Sequence, residues 1–322
     1  MSRYINPYTD FGFKKLFGEE ANKDLLIDFL NTLLPEKHLI KTLSFRNPEH
    51  LGATPSERRA VFDVFCEANS GEKFIVEMQK EDQEFFKDRS LYYAAYPVRD
   101  QGWKGKDPET GQIWDFELKT VYFIGILDFV YDKNDPNQSL IRKVSLKDQF
   151  GREFYDKLQF IYIQMPLFQL KEPSLETHLD KWLYFLKYLP SLEHIPSILK
   201  EQVFEKAFHT AEVAVMSSAE RDRYEQESND YLTYWATIST AEKKGIKRGM
   251  KKGIQKGIKR GVKKGIQKGI KKGIKNGIKE GKVEGETQKA FKIARNMKLK
   301  GLDTSLIAEM TGLSPEEIER LE

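Results

Sequence analysis

Val61-Phe62-Asp63-Val64-Phe65, followed by Phe74-Ile75-Val76-Glu77-Met78-Gln79, is the stretch that decides how this chain is read. Residues 59–68 and 73–80 are rich in Val, Ile and Phe. Asn69-Ser70-Gly71-Glu72 between them is a turn signal, so the pattern predicts a β-hairpin. Alternation puts Asp63 on one face with Val61 and Phe65, and Glu77 with Ile75 and Gln79. With the turn centred near Ser70, Asp63 lies opposite or nearly opposite Glu77, where Cβ atoms stand about 4.5–5.5 Å apart. Carboxylates that close repel unless a cation or a shared proton lies between them. An all-oxygen site with open positions suits Mg²⁺ or Mn²⁺. Gln79, on the same face, is placed to orient water or a phosphate. The alternative is a surface hairpin with Asp63 and Glu77 facing solvent, paired with Arg58 or Lys73, since charges on edge strands guard against aggregation.

Working outward, Tyr8 to Leu34 has helical spacing of Phe13, Leu16, Phe17, Leu25, Leu26, Phe29, Leu30 and Leu33, and Pro35 stops it. Leu43 to Arg46 reads as a short strand. Asp82 to Gly102 reads as a helix with Phe85, Phe86, Leu91 and Tyr92 inward, bent by Pro97. Thr120 to Tyr131 and Leu158 to Pro166 are strand-like. Helices and strands mix to about residue 170, which predicts an α/β (α+β) core with a mixed central sheet flanked by helices. From Ser174 to Thr240 strand signals give way to amphipathic helices marked by Trp182, Phe185, Leu186, Val203 and Phe204. The expected segments are a core at 1–170, a helical region at 171–242, a repeat linker at 243–286 and a small helical module at 287–322.

Several classes are disfavoured. The longest apolar run, Val121 to Val130, is too short to span a membrane and is broken by Asp128. Met1-Ser2-Arg3-Tyr4 starts no apolar signal region. One cysteine, Cys66, leaves no internal disulfide and fits a reducing cytoplasm. With one Cys and five His, no zinc-type cluster is seen.

The net charge of +4 hides a division. Residues 243–282 carry 17 Lys or Arg and one acid, Glu280; the rest of the chain carries 36 basic and 48 acidic groups. A very basic segment on an acidic body implies a polyanion partner, or the body itself. Within it, eleven glycines recur at every fourth position from Gly245 to Gly285, mostly as GIKK or GIQK. Four residues turn a helix by about 400°, so the glycine stripe drifts about 40° per repeat. Eleven glycines cost about 10 kcal/mol of helix propensity against alanine, which predicts disorder or fleeting helix for the segment alone. A solvated linker, a self-associating helix and a nucleic-acid arm all remain open for it. The last 36 residues form a small helical module in which IAEMTGLSPEEIERL is close to a helix-turn-helix pattern. Glu316, Glu317, Glu319 and Glu322 against Arg320 favour a packing or partner role over reading DNA.

The first half resembles the recombination-promoting nuclease (Rpn) and transposase family, a branch of the PD-(D/E)XK nuclease superfamily. NPYTDFGFKKLFG (Asn6 to Gly18), the Asp63 strand, FIVEMQK (Phe74 to Lys80), DRSLYYAAYPVRDQGW (Asp88 to Trp103) and LKTVYFIGILDFVYD (Leu118 to Asp132) carry the resemblance in order and spacing. It implies a restriction-endonuclease-like core and a Mg²⁺- or Mn²⁺-dependent DNA endonuclease linked to recombination or mobile elements. Asp63 fills the strand acid and Glu77 the acid of the (D/E)XK element. Gln79 stands where the superfamily has Lys, so a cation that helps to activate water is missing there. Lys80 is expected on the opposite face. Asp10 is either a third acid at the metal or a helix N-cap. Lys14, Arg89 and Lys80 are candidates for DNA contact; Lys14 and Arg89 also fit as exposed helix charges, and Tyr93 fits the core. The partner implied is DNA, with a homo-oligomer possible and no membrane. The competing reading is a catalytically weak DNA-binding or assembly protein acting through its basic tail. A third is a mobile-element accessory protein that cleaves only inside a complex.

Overall fold

The computed structural model describes residues 2–50, 60–102, 111 and 116–321. Residue 59 of the anticipated hairpin, Arg58, and Trp103 at the end of the DRSLYYAAYPVRDQGW motif lie outside these residues. The chain forms two compact units, Met1–Trp235 and Ala236–Glu322.

In the first unit a six-stranded sheet runs in the order β1-β4-β5-β6-β8-β7. Its strands are β1 (Leu43–Phe45), β4 (Val64–Ala68), β5 (Lys73–Gln79), β6 (Val121–Leu127), β7 (Ile141–Lys147) and β8 (Glu153–Gln164). A separate pair joins β2 (Glu49–His50) to β3 (Ala60–Val61). β5, β6 and β8 pair in parallel, and the remaining neighbours are antiparallel. β6 is buried along its whole length, as parallel strands covered on both faces are. β7 was not foreseen. It is an edge strand whose Arg142, Lys143, Ser145 and Lys147 hide its strand character.

Alternation along β5 divides the core. Phe74, Val76 and Met78 pack with α1 (Asp10–Phe17), α2 (Lys23–Asn31), α4 (His178–Tyr188) and α5 (Gln202–Ala211), while Ile75 packs towards α3 (Phe86–Arg99). Glu77 and Gln79 follow Ile75 on the α3 side. The long first helix expected from Tyr8 to Leu34 is two helices joined by a 3₁₀ turn at Glu20–Asn22, with Thr9 as the first N-cap. No packing break occurs near residue 170: Trp182 packs on Phe17 and Phe29 at 5.7 and 5.8 Å between ring centroids.

Two expectations for α3 are corrected. Phe86 is buried as expected, but Phe85, Leu91 and Tyr92 are exposed. Their spacing gives helical periodicity without saying which side meets the sheet, and Phe86, Ser90, Ala94 and Pro97 take that side. The helix is also shorter than the anticipated Asp82 to Gly102, running from Phe86 to Arg99 with Pro97 inside it.

The glycine array is also helical, within α6 (Ser218–Leu299), where disorder or fleeting helix is the expectation for the segment alone. The flanks Ser218–Glu242 and Glu286–Leu299 contain no glycine, so helix can propagate into the array without nucleating there, and nucleation is the costly step. Lys, Arg and Gln between the glycines are good helix formers. A Cβ added at any glycine from Gly245 to Gly285 meets nothing within 4 Å.

In the second unit, α7 (Thr304–Thr311) and α8 (Pro315–Glu319) follow that helix. Ala294, Ile307, Leu313 and Ile318 form a small core. Gly312 closes α7 at φ +70°, and Ser314 and Glu317 form the capping box that opens α8. Lys298 Nζ donates to the carbonyls of Ile318, Glu319 and Leu321, stapling the C-terminal turn to α6.

Candidate active site

The register Val64↔Val76 places Asp63 and Glu77 beside each other where β4 begins. The strand expected from 59 to 68 is broken there: β3 ends at Val61, and the chain bends before β4. Phe62 turns into the α3 side with Phe65, ring centroids 5.6 Å apart, so simple alternation fails at this point. The bend frees the Asp63 N–H from the strand ladder. That N–H donates to Glu77 Oε1 at 3.1 Å, and Met78 N–H donates to Asp63 Oδ2 at 2.7 Å.

Glu77 is buried and Asp63 half-buried, and both carboxyls are held above the usual carboxylate range. Burial is the main cause in each case. Asp63 rises to about 6, and the negative charge of Asp10 adds to the rise. Glu77 rises to about 8, and the charge of Asp63 adds to the rise. The two backbone N–H bonds, Lys14 and Arg89 oppose these shifts. The surface-hairpin alternative with Lys73 is overturned, since Glu77 is 2% exposed and Lys73 pairs with Glu67 at 2.8 Å.

Gln79 is buried on the same side, with Nε2 3.4 Å from Glu77 Oε2. Arg89, from α3, brings Nη2 to 3.8 Å from the same oxygen and lies 5.4 Å over the Tyr93 ring. Tyr93 packs edge-on to Phe62 at 5.3 Å, which fixes it as partly buried support. Asp10 occupies the first turn of α1 after the Thr9 cap, so it is not the N-cap. It pairs with Lys14 at 2.8 Å and Arg223 at 3.7 Å. Among the described residues no three His, Cys, Asp or Glu side chains gather as a metal-ligating group, so Asp10 is not brought into the pair as a third ligand.

Lys80 follows the last residue of β5, and its ammonium sits 5.3 Å from the Tyr231 ring centroid. Tyr231 packs with the core on the Phe74, Val76 and Met78 side, so Lys80 lies on the face away from Gln79. Burial lowers its pKa, while the charges of Asp10, Asp63, Glu227 and Glu81 oppose this.

Sequence reasoning missed two contributors. Asp128, just beyond β6, donates its N–H to the Gln79 carbonyl at 2.9 Å, and burial lifts its carboxyl to about 6. Its signal was an acid interrupting the apolar run. The start of α6 also reaches α1. Glu227 accepts from Phe11 N–H at 2.6 Å, and Tyr224 Oη accepts from Asn6 N–H at 2.9 Å. No local signal marks those partners, which lie more than 200 residues away.

The donor set fits a divalent cation. Two carboxyls that resist ionising beside one another offer the oxygen ligands that hard divalent cations take, while Gln79 turns its Nε2 towards Glu77 Oε2. A mixed sheet whose adjacent central strands carry this acid pair is a restriction-endonuclease-like PD-(D/E)XK fold. Residues 7–241 match the family described as PD-(D/E)XK nuclease family transposase, so the chain belongs to that family. Residues 287–322 match the C-terminal HTH domain of the Rpn/YhgA-like nuclease family, in keeping with the helix-turn-helix spacing read from the sequence. No curated protein and no solved structure matches the chain. The protein is thus a nuclease of a family linked to transposition, in which divalent metal ions are the general cofactor. Among the described residues no helix is long and apolar enough to cross a membrane.

Proposed function

We propose that the protein is a Mg²⁺- or Mn²⁺-dependent endonuclease that hydrolyses DNA phosphodiesters during recombination or movement of mobile elements. The observation that carries this reading is the pairing of half-buried Asp63 with buried Glu77, each carboxyl bonded to a backbone N–H beside the other. Such a pair is unfavourable in its charged form unless a cation is near. Asp63 and Glu77 would hold the ion, which when bound supplies an acidified water and neutralises phosphate charge. Gln79 orients that water. Lys14 and Arg89 hold the phosphate, and Lys80 provides the positive charge that Gln79 lacks.

A second reading keeps one specific support: Gln79 replaces the superfamily lysine, which fits a weakly catalytic DNA-binding or assembly protein acting through residues 243–282. Supercoiled-plasmid nicking with Mg²⁺, Mn²⁺, Ca²⁺ or EDTA, with Asp63→Asn in parallel, separates the two. Nicking that needs Mg²⁺ or Mn²⁺ and vanishes in Asp63→Asn supports the nuclease; binding without nicking supports the second reading.

A further inference from the structure

The outer side of α3 carries an unused feature next to the acid pair. Phe85, Arg89 and Tyr92 fall at i, i+4 and i+7 and share one helix face. Phe85 is 67% exposed and Tyr92 43% exposed. A groove of about 540 Å³ runs along that face, lined by Gln83, Glu84, Phe85, Asp88, Arg89 and Tyr92. That size lies within the range of about 300–1,000 Å³ typical of small-ligand sites.

Its chemistry is unlike a phosphate track. Among the described residues Arg89 is the one basic group lining it, against Glu84 and Asp88. A phosphate backbone laid in the groove meets those two carboxylates. A nucleobase meets the exposed Phe85 ring on which to stack, with Gln83, Glu84 and Asp88 as acceptors for its amino and imino groups. Arg89 lines the groove and also stands 3.8 Å from Glu77, so this one side chain adjoins both the groove and the candidate catalytic centre. A base seated there belongs to a nucleotide whose phosphate lies towards Arg89 and the acids.

We infer that this groove takes an unpaired nucleobase next to the scissile phosphate, so that the substrate class is single-stranded or locally unpaired DNA. The inference rests on the nuclease reading and narrows it. In an intact duplex the base is stacked and paired, and extracting it costs free energy that an already unpaired base does not.

The test uses the full chain in EDTA and three ligands: a short mixed-sequence single strand, the same strand built from abasic tetrahydrofuran units, and the matched duplex. The first two carry equal phosphate charge, so basic segments bind both alike. The base-bearing strand should bind about tenfold tighter than its abasic counterpart. Phe85 is exposed at the start of α3 and supports no core. Phe85→Ala should bring the ratio to within about twofold, leaving duplex affinity and the salt dependence unchanged, because stacking neutralises no phosphate. Phe150→Ala and Phe154→Ala, at exposed aromatics on the β7–β8 hairpin, should keep the wild-type ratio. A ratio that Phe85→Ala does not move, or equal weakening on all three ligands, overturns the groove assignment. Wild-type nicking with Mg²⁺ is measured alongside. Nicking with no Phe85-dependent ratio overturns the groove alone; a Phe85-dependent ratio without nicking overturns the nuclease reading and leaves a base-binding site.

Discussion

Asp63 and Glu77 are coupled through the backbone as well as by charge: Glu77 Oε1 takes the Asp63 N–H at 3.1 Å, and Asp63 Oδ2 takes the Met78 N–H at 2.7 Å. The acids thus replace strand hydrogen bonds at the bend before β4. Repulsion alone implies that removing either acid stabilises the metal-free protein, but this bonding changes that expectation. Asp63→Ala leaves the Met78 N–H without its acceptor, at a cost of about 1–3 kcal/mol if it stays buried. Asp63→Asn keeps an acceptor and sheds the charge. Asp63→Asn should therefore fold at least as stably as wild type in EDTA and lose metal-dependent nicking by about 100-fold or more. Urea denaturation and plasmid nicking on the same preparations check both parts. Wild-type nicking by Asp63→Asn removes Asp63 from the chemistry.

Metal-free stability should depend on pH with a defined sign. Burial raises both carboxyls, Asp63 to about 6 and Glu77 to about 8. Between the ordinary carboxylate range and these values the native state holds protons that the unfolded chain releases. The stabilising contribution is complete below the unfolded values and is lost as pH rises through about 6 and then about 8. Glu77→Gln removes the larger of the two effects. The stability difference between wild type and Glu77→Gln, measured in EDTA, should shift against wild type as pH rises; a difference that is flat or moves the other way contradicts the buried Glu77 carboxyl. Added Ca²⁺ should flatten the wild-type profile, since the ion takes the place of the protons.

Positions 79 and 80 should act as a pair. Lys80 lies within electrostatic reach of Asp63 and Asp10, whereas Gln79 supplies a neutral amide beside Glu77. Lys80→Met should slow single-turnover cleavage by about tenfold or more, as loss of a charge near the developing transition state does. Gln79→Lys should keep or raise activity in the wild type and restore much of it in Lys80→Met. No effect of Lys80→Met on cleavage assigns the positive charge elsewhere. Loss of cleavage in Gln79→Lys with metal binding intact means that the Gln79 amide makes hydrogen bonds a cation cannot replace.

What the sequence revealed follows from what is periodic or local. Apolar alternation and the Asn69–Glu72 turn place Asp63 near Glu77, and their burial against α3 follows from Ile75. Hidden from it was the bend at Phe62 and Asp63, because a break in alternation is set by what the freed N–H finds, here the Glu77 side chain. Phe85 and Tyr92 were read as inward because periodicity gives a stripe and not its direction; Ser90 and Ala94 fit closer to the sheet. The contacts of Tyr224 and Glu227 with Asn6 and Phe11 depend on tertiary closure alone. Helix within the glycine array was hidden because propensity sums treat the segment in isolation from its flanks.

Truncation after Thr240 should leave a folded protein that retains the metal-dependent chemistry. It should bind duplex DNA more weakly and with a shallower salt dependence, each lost phosphate contact reducing the slope by about 0.9. The exposed side chains from Ile246 to Ile278 make no core in this chain, so their removal uncovers none. If truncation instead lowers the oligomeric state, seen by light scattering, the array associates with itself. An unchanged slope and an unchanged mass would exclude both roles.

A helix whose residues recur every four is degenerate along a screw path that turns about 40° per repeat. A contact made at Ile254 and Lys256 finds its equivalent at Ile266 and Lys268, and each single repeat advances about 6 Å along the axis. A polyanion bound to such a rail would have many similar registers instead of one best seat, and could shift from repeat to repeat without full release. Gain or loss of whole tetrapeptides changes the number of registers while leaving the chemistry of each untouched, so the segment tolerates length variation that would wreck an ordinary binding surface.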